Sequence, residues 1–184
     1  KELIEGHYAK NTPAGKWNGL TITKDYRELI AMKSVDAVLI ATPDHWHGEP
    51  TILSARAGKH VYCEKPISLT IAEGRRMVDA VKKNKVIFQT GSQQRTEFGG
   101  KFRRTVEMIH SGAIGKIKKI QVCVGGPPKP CDLATQPVPE GIDWDAWQGP
   151  APTRGYNKEL CPDNVHNHFP RWRAYTEYCN GYLA

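Results

Sequence analysis

The stretch VDAVLIATPDHWHGEPTILSARAGKHVYCEKP, residues 35–66, decides the fold. Ala37–Ala41 is a short apolar run without polar alternation, the pattern of a parallel strand covered on both faces. Thr42-Pro43-Asp44 breaks that strand at its carboxyl end. Glu49–Ala57 is helix-compatible, and Gly58 stands where a helix C-terminal glycine belongs. Val61-Tyr62-Cys63 is a second apolar run and ends at Glu64-Lys65-Pro66. Strand, helix and strand make one β-α-β unit, a crossover that is almost always right-handed. Its two polar clusters, TPDHWH and EKP, therefore fall at the carboxyl ends of neighbouring parallel strands. In open α/β sheets, ligands bind at that edge.

Working outward, Glu2–Lys10 reads as the tail of a helix, Gly19–Thr23 as extended chain, and Asp25 as the N-cap of a short helix reaching Met32. Thr70 with Glu73 forms a capping box, opening a helix to Lys83 whose apolar positions Ile71, Met77, Val78 and Val81 share one side. Val86-Ile87-Phe88 is the next buried strand and ends in Gln89–Arg95. Phe102–His110 is a further helix, closed by Gly112. From Ile117 the pattern changes: Ile117, Ile120, Val122 and Val124 suggest a strand of an antiparallel sheet with one wet face. The domain boundary is placed near Gly115, giving domains 1–115 and 116–184. Residues 125–170, rich in Pro, Gly and Trp, read as a long binding loop.

Composition excludes several classes. With 39% hydrophobic and 24% charged residues the chain is neither disordered nor membrane-spanning. The net charge of +7 is scattered over helix faces and strand starts, with no basic–aromatic stripe, so a nucleic-acid role is not expected. Five widely spaced cysteines show no CxxC and no metal-ligand spacing, which suggests reduced thiols, with Cys63 a small core residue. His166-Asn167-His168 alternate on an extended segment, so their side chains point to opposite faces and no metal site is expected.

The pairing of ATPDHWH (Ala41–His47) with EKP (Glu64–Pro66) resembles the Gfo/Idh/MocA family of nicotinamide-dependent sugar and cyclitol oxidoreductases. SGAIGKI (Ser111–Ile117) and DWDAWQGPAP (Asp143–Pro152) resemble that family's passage into its second domain. The resemblance covers nearly the whole chain. It implies a partial Rossmann-type, doubly wound parallel sheet followed by the start of an α+β substrate domain with a mostly antiparallel sheet. It further implies NAD or NADP as cofactor, NAD favoured. A carbohydrate or cyclitol is the implied substrate, and the implied assembly is a dimer or tetramer through the second-domain sheet.

The same resemblance suggests roles for individual residues. Lys65 is the residue acting on the substrate hydroxyl in proton transfer. Glu64 would accept from ribose hydroxyls. Thr42 and Pro43 would line the phosphate and ribose path, with Asp44 and His47 also toward the cofactor. Gln93 and Arg95, at the next strand end, would meet nicotinamide and substrate, and Trp172 and Arg173 resemble a pair near the nicotinamide. Arg154 and Tyr156 could hydrogen-bond sugar hydroxyls. His45 could be exposed or support the site from behind, Trp46 could fill the core or carry a ring, and Trp144 and Trp147 could simply pack.

Two absences set further expectations. No GxGxxG turn is present, and no acidic residue follows a second strand to hold an adenosine ribose. Lys1–Glu5 reads as the interior of a helix, so an excerpt is expected, one that binds dinucleotide weakly and is inactive by itself. Two alternatives to a dehydrogenase remain: a glycoside hydrolase of the same family that retains NAD, and a non-catalytic sugar-binding relative.

Overall fold

The structure, a computed structural model, describes residues 1–17, 19–162 and 171–181. Two helices lead in, α1 (Glu2–Ala9) and α2 (Tyr26–Ala31). Asp25 caps α2, its carboxylate accepting the Arg27 N–H at 2.9 Å. Three parallel strands follow, β1 (Ala37–Ile40), β2 (His60–Glu64) and β3 (Phe88–Gly91), side by side in chain order. Ile40 pairs with Cys63 and Glu64 with Gly91, so all three strands end at one edge. Helices α3 (Gly48–Arg56) and α4 (Ile71–Asn84) are the crossovers.

Local chemistry explains these boundaries. After α3, Gly58 takes φ +75°, a conformation that L side chains resist. At α4 the Thr70 hydroxyl oxygen accepts the Glu73 N–H at 3.1 Å. The Glu73 carboxylate takes the Leu69 N–H at 2.7 Å, one residue earlier than a reciprocal capping box. A Cβ on Gly48 would lie 2.2 Å from that carboxylate, so glycine is what lets the start of α3 approach α4. Met77 and Ala80 of α4 are buried, whereas Ile71, expected on the same face, is exposed in the first turn.

The sheet departs from the sequence expectation in two ways. β3 begins at Phe88, two residues later than expected, because the Ile87 N–H is taken by the His60 ring at 3.0 Å. Ile40, Val61 and Cys63 form the core of the sheet, while Leu39 is 68% exposed. The expectation of cover on both faces is therefore corrected: α3 packs on the sheet and α4 on α3, and among the described residues nothing shields the Leu39 side.

Beyond β3, α5 (Lys101–His110) carries Phe102, Val106 and Met108 exposed. The strand expected over residues 117–124 is not formed. Ile120 and Val122 are exposed, and no described segment pairs with this one; without a ladder a single strand has no partner for its backbone groups. The antiparallel sheet of the second domain is thus absent among the described residues.

A second core lies in residues 128–181. Trp144, Tyr156, Leu160, Trp172, Tyr175 and Tyr178 are buried together, with Leu133 and Trp147 packed against them. Among the described residues of this segment the only α-helix is α6 (Trp144–Gln148), capped by the Asp143 carboxylate on the Ala146 N–H at 2.9 Å. Among the described residues no helix is long and apolar enough to cross a membrane.

Candidate functional site

The carboxyl ends of the three strands open into a cleft of about 380 Å³. Thr42, Asp44 and His47 reach it from the turn after β1, Glu64 and Lys65 from the end of β2, and Gln93 from the turn after β3. Arg173 enters from the second core. Larger grooves of about 770 and 820 Å³ lie between α3 and α4 and along β1, but neither gathers residues from more than one strand end.

Glu64 is held by its neighbour strand. The Gln93 amide donates to one carboxylate oxygen, Oε2, at 3.1 Å. A Cβ on Gly91 would stand 2.7 Å from the carboxylate carbon, so the glycine at the end of β3 makes the room in which the carboxylate lies. Lys65 follows, exposed at the cleft rim, and its peptide bond to Pro66 is cis. His47 is 1% exposed. Its Nδ1 sits 2.5 Å from the Pro66 carbonyl oxygen and its Nε2 2.8 Å from that of Thr42. Both ring nitrogens are thereby spent on the backbone, leaving neither for a cofactor.

Asp44 is buried, which raises its carboxyl above the usual carboxylate range. The Cys179 thiol and the charges on His47, Arg173 and Lys65 oppose that rise. Cys179 is itself pushed up to about 12 by burial and by Asp44, so it stays a thiol beside the carboxylate. The Asn180 amide donates to the Leu69 carbonyl at 2.9 Å, a second tie from the same segment to the β2–α4 connection.

The other face of the turn docks on α6. His45 Nε2 lies 2.9 Å from the Trp147 carbonyl oxygen, and the Trp46 indole donates to the same oxygen at 2.9 Å. Because a carbonyl only accepts, His45 carries its proton on Nε2. Its buried Nδ1 has no hydrogen-bond partner, and burial brings the ring down to about 4, so His45 is neutral. The ring packs against Trp147 and Tyr178 at centroid distances of 5.1 Å each. A Cβ on Gly149 would fall 2.0 Å from the Trp46 ring, which makes this glycine a seat for the indole.

Of the residues singled out from sequence, Thr42, Asp44, His47, Glu64, Lys65, Gln93 and Arg173 come together in the cleft. Pro43 is not among the lining residues; it opens the turn, its carbonyl accepting the Trp46 N–H at 2.8 Å. Arg95 is exposed, two residues past Gln93 and outside the cleft lining. Trp172 is a buried member of the second core, with the Arg173 guanidinium 4.2 Å above its ring. Arg154 and Tyr156 do not reach the cleft. Arg154 donates to the carbonyls of Cys131 and Leu133, both at 3.1 Å, and the buried Tyr156 hydroxyl donates to the Cys161 carbonyl at 2.8 Å. These two therefore stand apart from the cleft, and the bonds named here go to irregular backbone.

Sequence reading missed Gly91, Gly149, Cys179 and Asn180. A glycine at a strand end signals close approach of another group, and Gly91 carried that signal; the others carried none. Among the described residues no three His, Cys, Asp or Glu side chains are grouped to hold a metal ion, and His166 and His168 lie outside the described residues.

Three parallel strands with helical crossovers and a polar cleft at their carboxyl edge define a Rossmann-type nucleotide-binding unit. Residues 2–92 match the family described as the GFO_IDH_MocA oxidoreductase family with NAD-binding Rossmann fold. The chain belongs to this family. It is similar to the myo-inositol 2-dehydrogenase of Thermotoga maritima, 41% identical over 110 residues that cover 59% of this chain and 32% of that protein. It is also similar to the levoglucosan dehydrogenase of Pseudarthrobacter phenanthrenivorans, 38% identical over 96 residues, 52% of this chain and 24% of that one. A solved myo-inositol 2-dehydrogenase from Lactobacillus plantarum superposes with a TM-score of 0.48 at 33% identity, over 52% of this chain and 28% of that one. The chain thus spans about a third or less of the length of these relatives.

Proposed function

We propose that this chain belongs to an NAD(P)-dependent oxidoreductase that moves a hydride between nicotinamide and a hydroxyl-bearing carbon of a sugar, sugar derivative or cyclitol. One observation carries the reading: Glu64, Lys65 and Gln93 converge with Thr42 and Asp44 at the carboxyl edge of the parallel sheet. Residues 1–115 are the cofactor side of this unit and residues 116–184 the beginning of its substrate side. NAD is favoured over NADP, in keeping with the family's NAD-binding description.

The residues fit the nicotinamide end of such a cofactor. Glu64 keeps Oε1 for a ribose hydroxyl while Gln93 holds Oε2, and Gly91 leaves space for the carboxylate. Thr42 and Asp44 face the same space from β1. A bound nicotinamide supplies the hydride acceptor or donor. The chain's own residues handle orientation and the proton. Lys65, exposed at the rim, takes the hydroxyl proton on its free amine in the oxidising direction and returns it to the carbonyl oxygen in the reducing direction. His47 holds the backbone on both sides of this arrangement.

The test is a panel of sugars and cyclitols offered with NAD or NADP to the protein at its natural length, read by nicotinamide absorbance. Reduction with at least one polyol, abolished in Lys65→Met, is the expected result. Turnover with no net change in nicotinamide would favour the redox-neutral hydrolase, and binding of sugar without turnover would favour the non-catalytic relative.

A further inference from the structure

The turn after β1 holds two fully buried histidines that are used differently. His45 meets one carbonyl and leaves Nδ1 bare; His47 meets a carbonyl at each nitrogen. A carbonyl oxygen offers only lone pairs, so a nitrogen facing it at such a distance is attracted only if it bears a proton. Neutral imidazole has one N–H and the imidazolium has two. At 2.5 and 2.8 Å both contacts are direct, with no space for a water between.

We propose that His47 is a positioning residue that carries both ring protons and ties the carboxyl ends of β1 and β2 together, setting where Lys65 stands in the cleft. Lys65 lies between two anchored neighbours. Glu64 is paired to Gly91 in the ladder and bound by Gln93, and the Pro66 carbonyl is held by His47. The long side chain is thus free at the rim while its backbone is fixed on both sides.

A buried cation needs a counter-charge, and the groups around this ring supply one. Asp44, on the same turn, is the buried carboxyl on which the His47 charge acts. Glu64 and Glu97 line the same cleft, and the Glu73 carboxylate of α4 lies against Gly48, next in the chain. Lys65 and Arg173 are the opposing charges in the cleft, and His45 is neutral. The inference concerns the free chain and does not need the hydride-transfer reading to hold.

The experiment is nuclear magnetic resonance on the chain labelled with nitrogen-15 at histidine. At neutral pH His47 is expected to show protons on both ring nitrogens, and His45 on Nε2 alone, so the second ring is an internal control. As pH is raised, the backbone amide signals of Lys65 and Thr42 are expected to move with the same midpoint as the His47 ring. In His47→Gln that coupled movement is expected to vanish. A single protonated nitrogen on His47 at neutral pH would overturn the charge assignment. Lys65 and Thr42 signals that ignore the His47 titration, or persist in following pH in His47→Gln, would overturn the positioning role. Should His47→Gln fail to fold, the wild-type titration decides alone. Loss of activity in the polyol panel leaves these outcomes untouched.

Discussion

The sheet unit, residues 35–92, and the aromatic segment, residues 128–181, solve the same backbone problem in opposite ways. In the first, peptide groups pair with one another along β1, β2 and β3 and within α3 and α4, so polar side chains are left over. Glu64, Lys65 and Gln93 are among those left, and they face the cleft. In the second, among the described residues, there is little regular pairing beyond the Lys129–Tyr175 bridge. Side chains must satisfy the carbonyls instead: Trp144 donates to Arg154, Asn157 to Ala134, and Arg154 to Cys131 and Leu133. Regular structure frees polar groups for chemistry, and irregular structure consumes them.

The sharpest way to break this contrast is to remove one group from each side. Lys65→Met takes away an exposed amine that no backbone group needs. Activity is expected to fall by about 10²–10⁴-fold, the range for a lost general acid–base, while thermal unfolding stays unchanged. Nicotinamide absorbance and a melting curve, run on one preparation, check both halves. In the aromatic segment the opposite outcome is expected. Leu160 is fully buried, and Leu160→Ala should cost about 2–5 kcal/mol by denaturant unfolding. A Lys65→Met protein that unfolds early, or a Leu160→Ala protein of full stability, would erase the distinction.

This contrast also explains what could be read from the chain alone. Periodic pairing leaves a periodic trace, so β1, α3, β2 and α4 were legible, as was the meeting of TPDHWH with EKP. The uncovered face at Leu39 was not, because an apolar run records a strand's affinity for cover and not the cover itself. Residues 117–124 had the right alternation for a strand, yet alternation cannot supply a partner. That Arg154 and Tyr156 bond backbone carbonyls was not legible either, because sequence gives no account of which carbonyls stand unpaired nearby. His45 and Trp46 were undecided for the same reason: their partner, the Trp147 carbonyl, lies about a hundred residues away.

Acid should loosen the joint between the two regions. His45 ionises near 6.5 in an unfolded chain and at about 4 in its buried place, so it contributes nothing to pH dependence above 6.5. Below that, the unfolded state takes up the proton first, and stability declines until pH reaches about 4. The full loss from this group is on the order of 3 kcal/mol. Asp44 works in the other direction, since its raised carboxyl takes a proton sooner when folded and so favours the folded state in acid. Urea unfolding between pH 7 and 4 should therefore show a decline that His45→Phe reduces and Asp44→Asn deepens. A pH-independent wild type would mean that the turn does not dock through His45.

The smallest effect sharpens the comparison most, because it concerns a residue with no side chain. Gly91→Ala would bring a methyl carbon within 2.7 Å of the Glu64 carboxylate carbon, at a position that strains no backbone angle. The carboxylate has to swing away, and the Gln93 amide loses its acceptor. A hydrogen bond to a charged group is worth about 1.5–3 kcal/mol, which corresponds to roughly ten- to a hundred-fold weaker binding of dinucleotide if Glu64 is its ligand. Stability should hardly move, since Glu64 and Gln93 both border the cleft and water can take over their bonds. Titration with NAD, followed by the Glu64 and Gln93 resonances, measures the ratio for variant and wild type. Equal affinity would place the ribose elsewhere in the cleft and leave Glu64 a partner of Gln93 alone.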